Sequence, residues 1–472
     1  MRRASARLGW LALCFIPFSV GLGRFWHIYI APGNEIPYPY RTLGLTLTDA
    51  LVVATCVGWL GWRWQPGRQS RPPKGTGFVL FALALLALAA AASIVSAYDR
   101  RLAVGLTAEL AVLVVFFVAA GELMALFPRR LLLNGIAVAV VGQSLLAGWQ
   151  AVAQTTAPAG RLFNGWAGEL TSHDQGASIV MLPIVGRWLR SYGSFPHPNI
   201  LGGFLALSLV VLAIHMDART RRLCAIALAV GFAALLLAFS RAAWLAVMLG
   251  AVTILLVAPR TWRMMPRVRS RLAVVAGVAA ALTLVALVRV VSLGSLVEQN
   301  SIETRAFYNS VASQVIGRGI PVGAGNLVVA QRHLLGAAAA GSEPAHNVFV
   351  ITLAELGAIG LVAWLAIMGS LLFAAWLRRA EPGTRAGPLA AVAVLTPLLL
   401  LDHYLWTQPA GRVLVVWALA LLTGRGGTRH PDEVRQELRV DQLVRRDRLA
   451  AWAGNDAQPV TPLRITTGEA NA

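Results

Sequence analysis

Apolar stretches of about 17–25 residues follow one another along this chain, and that is the length a helix needs to cross the hydrocarbon core of a bilayer. The cleanest are Phe78–Ala97, Leu102–Leu126, Leu131–Ala153, Leu272–Val291 and Asn347–Trp376. Others, shorter or with a polar end, are Leu8–Tyr29, Leu43–Trp62, Ile200–Met216, Leu223–Phe239, Ala242–Ala258, Gly387–Tyr404 and Arg412–Leu422. Lipid offers a bare backbone no hydrogen-bond partner, so such runs become helices, and the Val and Ile residues inside them do not argue for strands. Only 13% of the residues are charged, against about 25% in an ordinary soluble domain. The pattern predicts an all-α polytopic membrane protein with about twelve transmembrane helices.

A net charge of +20 in a soluble protein would suggest a nucleic-acid partner, but its placement argues for topology instead. With Arg2, Arg3 and Arg7 inside and sides alternating at each span, the cytoplasmic segments carry 28 of the 41 Lys and Arg residues. Those segments are the N-terminus, the loops Arg63–Lys74, Pro128–Arg130, Arg219–Arg222, Arg260–Arg271 and Arg378–Arg385, and the tail after Gly424. This is the positive-inside asymmetry, and it predicts both termini in the cytoplasm. The N-terminus has the basic start and apolar stretch of a signal peptide but no small-residue cleavage site, so it reads as the first span. Residues 1–423 then form a transmembrane domain and 424–472 a cytoplasmic, partly disordered tail. A short helix is expected over Pro431–Trp452, where Pro431 takes the first position and Asp432 and Glu433 the first turn. Cys14, Cys56 and Cys224 fall inside expected helices without metal-ligand spacing and read as small apolar fillers.

Two outward segments exceed a turn, Gln154–Asn199 and Ser292–His346. The second, between the ninth and tenth spans, holds an expected surface helix (Ile302–Ile316). The Gly-rich stretch Gly317–Asn326 follows it and reads as a turn, because a nucleotide-binding loop would need a preceding strand. What remains outward is a set of Arg, His and Asn residues at helix mouths. Arg190 precedes His197 and Asn199 at the sixth span, and Arg241 lies in the short turn between the seventh and eighth. Arg305 lies on the surface helix, and His346 and Asn347 open the tenth span. Asp402 and His403 close the eleventh, and Arg412 opens the twelfth. Singly, each has a structural reading as cap, headgroup anchor or interfacial polar residue. Together they fall on one side of the membrane, as a shared cavity requires.

Guanidinium forks bind phosphate bidentately and stay charged at every physiological pH. Outside the cytoplasm ATP is scarce, so a reaction there needs a donor carrying its own activated bond. A sugar joined through pyrophosphate to a membrane lipid is such a donor. The protein then supplies cations for the leaving group and a base for the attacking hydroxyl.

Three motifs carry a resemblance. Arg190-Ser-Tyr-Gly-Ser-Phe-Pro-His197-Pro-Asn199 with Gly202 and Gly203, Ser240-Arg241-Ala-Ala-Trp244, and His346-Asn347 followed by Glu355-Leu-Gly357 resemble the O-antigen ligase and O-antigen polymerase superfamily. The resemblance runs from about residue 190 to 422, with the outward loop 292–346 in front of the His-Asn pair. It implies an inverting glycosyltransferase, with no metal or cofactor, in the bacterial inner membrane. Its partners would be an undecaprenyl-pyrophosphate-linked glycan donor, a glycan or lipid acceptor and membrane lipids. By the same resemblance Arg241 and Arg305 hold the pyrophosphate and His346 activates the acceptor. Arg190, His197, Asn199, Asn347, Asp402, His403 and Arg412 are carried over as substrate-site residues without individual roles. The family's usual glycine after Ser-Arg is Ala242 here. Ligase, polymerase and protein oligosaccharyltransferase all remain open. The reading from another class is a twelve-span small-solute transporter, kept in view by Glu109 and Glu355 inside spans.

Overall fold

The computed structural model describes residues 2–22, 25–31, 39–64, 73–160, 169–182, 185–257, 277, 296–336, 343–380 and 382–424. The expected ninth span Leu272–Val291 lies, but for Gly277, outside the described residues, as do the loop Arg260–Arg271 and the helix Pro431–Trp452.

The described chain is a helical bundle. Its principal helices are α1 (Arg2–Ser19), α2 (Leu47–Arg63), α3 (Thr76–Ser93), α4 (Arg100–Leu126), α5 (Arg130–Ala153), α6 (Pro198–His215), α7 (Arg221–Leu237) and α8 (Arg241–Val257). They continue as α9 (Leu296–Ile316), α10 (Leu327–Leu335), α11 (Val348–Leu377), α12 (Pro382–Leu401), α13 (Tyr404–Thr407) and α14 (Pro409–Thr423). Among the described residues, six stretches are long and apolar enough to cross a membrane: Thr76–Ser96, Arg100–Leu126, Arg130–Ala153, Pro198–His215, Val348–Leu377 and Thr384–Leu401. Three shorter apolar helices, Ala4–Ser19, Arg241–Val257 and Pro409–Thr423, accompany them. The protein is therefore a polytopic, mainly α-helical membrane protein, and helix length and composition alone support six spans among the described residues.

Helices pack in neighbouring pairs, α1 on α2, α3 on α11, α5 on α7 and α8 on α12. Without a hydrophobic drive between helices in lipid, close packing depends on small residues at the crossings. Gly203 on α6 is one such point, since a Cβ there would overlap the Tyr404 hydroxyl on α13. Gly203→Ala is expected to destabilise the protein by about 1–3 kcal/mol, the usual cost of overpacking. Thermal unfolding in detergent measures it, and Gly203→Ala/Tyr404→Phe should recover part of the loss. An unchanged melting temperature in Gly203→Ala would mean that this crossing is not tight.

One expectation needs correction. The first span, read as Leu8–Tyr29, stops at Ser19. Residues Trp26–Ile30 instead form strand β1, antiparallel to β2 (Thr42–Leu45). Hydropathy could not separate this ribbon from a span because its exposed Trp26, Ile28 and Ile30 are apolar. The ribbon is tied to α4 through Tyr29, whose hydroxyl donates to Asp99 Oδ2 at 2.7 Å. Asp99 also caps α4 by accepting from Arg101 N and Leu102 N. A second hairpin, β3 (Ile179–Leu182) with β4 (Gly186–Leu189), lies within the segment 154–199.

The expected surface helix is present as part of α9, and Gly317–Asn326 is a turn, as read. It also does more. Helix α11 breaks at Gly357, whose φ of 71° lies in the left-handed region that favours glycine. Beside the break, the carbonyls of Ala354 and Glu355 accept from Val322 N and Gly323 N, both at 3.0 Å. The Glu355 carboxylate accepts from Gly325 N at 2.9 Å, Leu327 N at 3.0 Å and Trp406 Nε1 at 2.7 Å. A buried carboxylate with three donors is a fastener for the turn. The residue that kept the transporter reading in view is occupied by structure.

Candidate active site

The site is assembled at one end of the bundle, where α6, α8, α11 and α14 begin and α12 ends. His197 is the N-cap of α6: its Nδ1 accepts from Asn199 N at 3.1 Å, and Pro198 takes the first helical position, where its missing N–H costs nothing. With Nδ1 accepting, neutral His197 carries its proton on Nε2 and donates to Ser178 Oγ at 2.9 Å. Burial, followed by the positive charge of Arg190, pushes His197 down to about 3, so the ring is neutral at physiological pH.

Arg190 belongs to both frame and site. Its Nε donates to Ala238 O at 3.0 Å, and Ser191 N donates to Leu237 O at the same distance. A cation against the last carbonyls of α7 is favourably placed for the helix dipole. Its Nη2 donates to Asn199 Oδ1, and Asn199 Nδ2 donates to Asp402 Oδ2 at 2.6 Å. Asn199 therefore bridges a cation nine residues before it and a carboxylate 203 residues after it. Burial pushes the Arg190 guanidinium down to about 10, with the charges of Arg241 and Arg305 pressing the same way, and it stays protonated at neutral pH.

Asp402 Oδ1 accepts from His403 N at 2.8 Å. Burial raises the Asp402 carboxyl, but His403, His346 and His197 with that backbone N–H outweigh it and hold it below its ordinary value. Burial also pushes His403 down to about 3. Thr407 Oγ1 donates to His403 O at 3.1 Å and so accepts from His403 Nδ1 at 2.8 Å, which leaves Nε2 as the bare nitrogen. The His403 ring meets His346 edge-on, with centroids 4.7 Å apart, and Tyr40 at 5.4 Å.

His346 is mostly buried and its Nδ1 has no hydrogen-bond partner among the described residues. Its Nε2 lies 4.0 Å from Glu343 Oε2, near enough for attraction and too far for a hydrogen bond. Burial lowers its pKa below 6.5; Asp402 and Glu343 oppose that and Arg305 reinforces it. The Arg305 charge is felt at His346, His403 and Arg190, and the Arg241 charge at Arg190. Three arginines and three histidines drawn from five segments thus share one electrostatic neighbourhood.

Two of the sequence candidates stand apart as structural. Asn347 Oδ1 accepts from Phe349 N and Val350 N, which makes it the N-cap of α11. Arg412 is buried in a bidentate pair with Glu109 and donates to Trp406 O at 2.6 Å. That pair also accounts for the other carboxylate inside a span. Sequence reasoning missed Gln143 and Gln150, seven residues apart on one face of α5. Gln150 Oε1 accepts from Tyr192 N and Gly193 N, and Gln143 Oε1 from Ser194 N, so the two hold the loop ahead of His197. Two glutamines at that spacing within an apolar run were a readable signal.

Beside His403 lies a small open cleft of about 50 Å³, lined by Tyr40, Thr42, Leu327, Val328, Trp406 and Arg412 among others. Trp406 and Arg412 also border a mostly apolar pocket between α3, α4, α11 and α14. Among the described residues no group of three His, Cys, Asp or Glu side chains is placed to hold a metal ion.

Residues 225–365 match the family model described as O-antigen ligase. Over those residues the chain is similar to that family. This supports the O-antigen ligase and polymerase superfamily and, with it, a glycan-transferring membrane protein. The ligase domain runs from α7 into α11, taking in Arg241, Arg305, His346 and Asn347. Arg190, His197, Asn199, Asp402, His403 and Arg412 flank it. No curated protein sequence matches the chain.

Proposed function

We propose that this protein is a glycosyltransferase of the bacterial inner membrane that moves glycan from an undecaprenyl-pyrophosphate-linked donor to a glycan or lipid acceptor. The observation that carries this reading is the meeting of His346 and His403, 4.7 Å apart, within the field of Arg305 and inside or beside the ligase domain. In the reaction the acceptor hydroxyl gives its proton to a neutral imidazole and its oxygen attacks the anomeric carbon. The bond from that carbon to the pyrophosphate oxygen breaks, and the lipid pyrophosphate leaves as an anion. Arg241 and Arg305 stabilise the departing charge, and His346 takes the proton through its unpartnered Nδ1. Asp402, Asn199 and Arg190 keep the histidines and the cations in register. No metal takes part, and attack from the opposite face inverts the anomeric centre.

The function belongs to cell-surface polysaccharide biosynthesis, with twelve spans, both termini in the cytoplasm and the site facing outward. Reporter fusions test that topology: Arg68, Arg267 and the tail should report cytoplasmic, and Gly168 and Gly325 outside. A cytoplasmic Gly325 would separate the site from a donor presented on the outer face and end the proposal. The activity itself is tested with purified full-length protein, a lipid-pyrophosphate glycan and an envelope acceptor extract, with release of lipid pyrophosphate followed in step with acceptor elongation.

A further inference from the structure

The β1–β2 ribbon carries apolar side chains that the bundle does not cover. Trp26, Ile28 and Leu45 are 60%, 66% and 53% exposed. Trp26 pairs with Leu45 across the ribbon, and Ile28 is the extra residue of a bulge between His27 and Tyr29. Two contacts with α4 fix the level of the ribbon along the bundle. Tyr29 bonds Asp99, the cap of that helix, and the Leu43 side chain lies against Gly105, where a Cβ would overlap it. From Asp99 to Gly105 the helix advances about 9 Å. Helix α4 is a span of 27 residues, and its length of about 40 Å exceeds the roughly 30 Å of the hydrocarbon core. Its first turn therefore lies among headgroups, where the exposed Arg100 and Arg101 are at home. Val104, also exposed, marks the start of the acyl region beside Gly105.

We propose that the β1–β2 ribbon is seated in the lipid headgroup layer, with Trp26, Ile28 and Leu45 reaching the boundary with the acyl chains. The leaflet is the one at the site's end of the bundle, because Tyr40, just ahead of β2, meets His403. A two-stranded ribbon leaves unpaired N–H and C=O groups along both edges, which hydrated headgroups can satisfy and hydrocarbon cannot. An indole at this level has the placement typical of interfacial tryptophans. Lipid fits the ribbon better than a protein partner does, because its exposed apolar side chains continue onto the exposed Val104 and Val112 of the span that holds it. Phe25, Leu43 and Gly44 line the cleft, with the Phe25 ring packed on Gly44. The lipid-seated ribbon is thus also one wall of the cleft beside His403. This seating needs a membrane and does not depend on the glycan-transfer reading.

The test uses full-length protein in nanodiscs of phosphatidylcholine and phosphatidylglycerol, with a nitroxide spin label on Ile28→Cys. Cys14, Cys56 and Cys224 are buried, and wild type treated with the label serves as the blank. Power saturation compares how readily the label meets oxygen, which concentrates in lipid, and a water-soluble nickel chelate. Val138→Cys, exposed in the middle of the span α5, gives the value for hydrocarbon. Gln175→Cys, in an exposed loop, gives the value for water. The oxygen-to-nickel ratio at Ile28 should lie well above that at Gln175 and below that at Val138. Leu45→Cys should give the same intermediate ratio, and it keeps the test decisive if a label at the bulge disturbs the ribbon. Ratios at both positions equal to that at Gln175 would put the ribbon in water and overturn the proposal. Shielding of both labels from oxygen and nickel alike would mean that protein, such as a second copy of the chain, covers the ribbon, and would overturn it too. Ratios equal to that at Val138 would place the ribbon in hydrocarbon and reject the headgroup level.

Discussion

Replacing His346 with alanine is expected to abolish detectable glycan transfer while leaving donor binding largely intact. A general base contributes about 10²–10⁴ in rate, enough to take transfer below detection in an in vitro assay. The pH profile tests the same group through its proton. Burial and the Arg305 charge lower the pKa of His346 from its ordinary 6.5. The base acts when neutral, so activity should be flat through pH 7 and fall only as pH drops through that lowered value. An acid limb above pH 6.5 would point to another group. Normal turnover in His346→Ala would move the base to His403, whose Nε2 is bare, although a pKa of about 3 makes it a weak one. Loss of donor binding would make His346 a phosphate ligand in company with the arginines.

Arg241→Lys and Arg305→Lys should each lose most transfer while inserting and folding as wild type. Lysine keeps the charge and lacks the fork, so it cannot hold two pyrophosphate oxygens in one geometry. Removing one donor from a site that stabilises developing negative charge costs about 10²–10³ in rate, and the lysine variants should approach that range. The loss should appear in kcat more than in the donor KM, because the charge on the leaving group grows in the transition state. Full activity in both variants would reduce these residues to anchors for lipid headgroups. A loss confined to KM would mean that they bind the ground state only.

Asn199 gives the clearest measure of what was legible beforehand. From the sequence it read equally well as a helix cap, and the cap turned out to be His197, with Asn199 spanning Arg190 and Asp402. Glu355 misled in the opposite direction, because an intramembrane carboxylate suggests a transport site until its three donors are known. Both ambiguities have one origin: a polar residue in an apolar run must find partners, and some of them lie as far as 203 residues away.

Run length and charge placement alone determined a polytopic helical membrane protein, because lipid leaves the backbone no other solution. They also showed that Arg, His and Asn gather at the ends of the apolar runs, and the motifs around those residues resemble the superfamily that the family match supports. Only the tertiary structure decided which of those residues meet. It paired Arg412 with Glu109, made Asn347 the cap of α11, and exposed the strand ribbon hidden in the first apolar run. Local sequence carries the period and polarity of each helix, since those depend on near neighbours. Partner choice depends on how helices cross, and that is settled by the packing of side chains far apart in the chain.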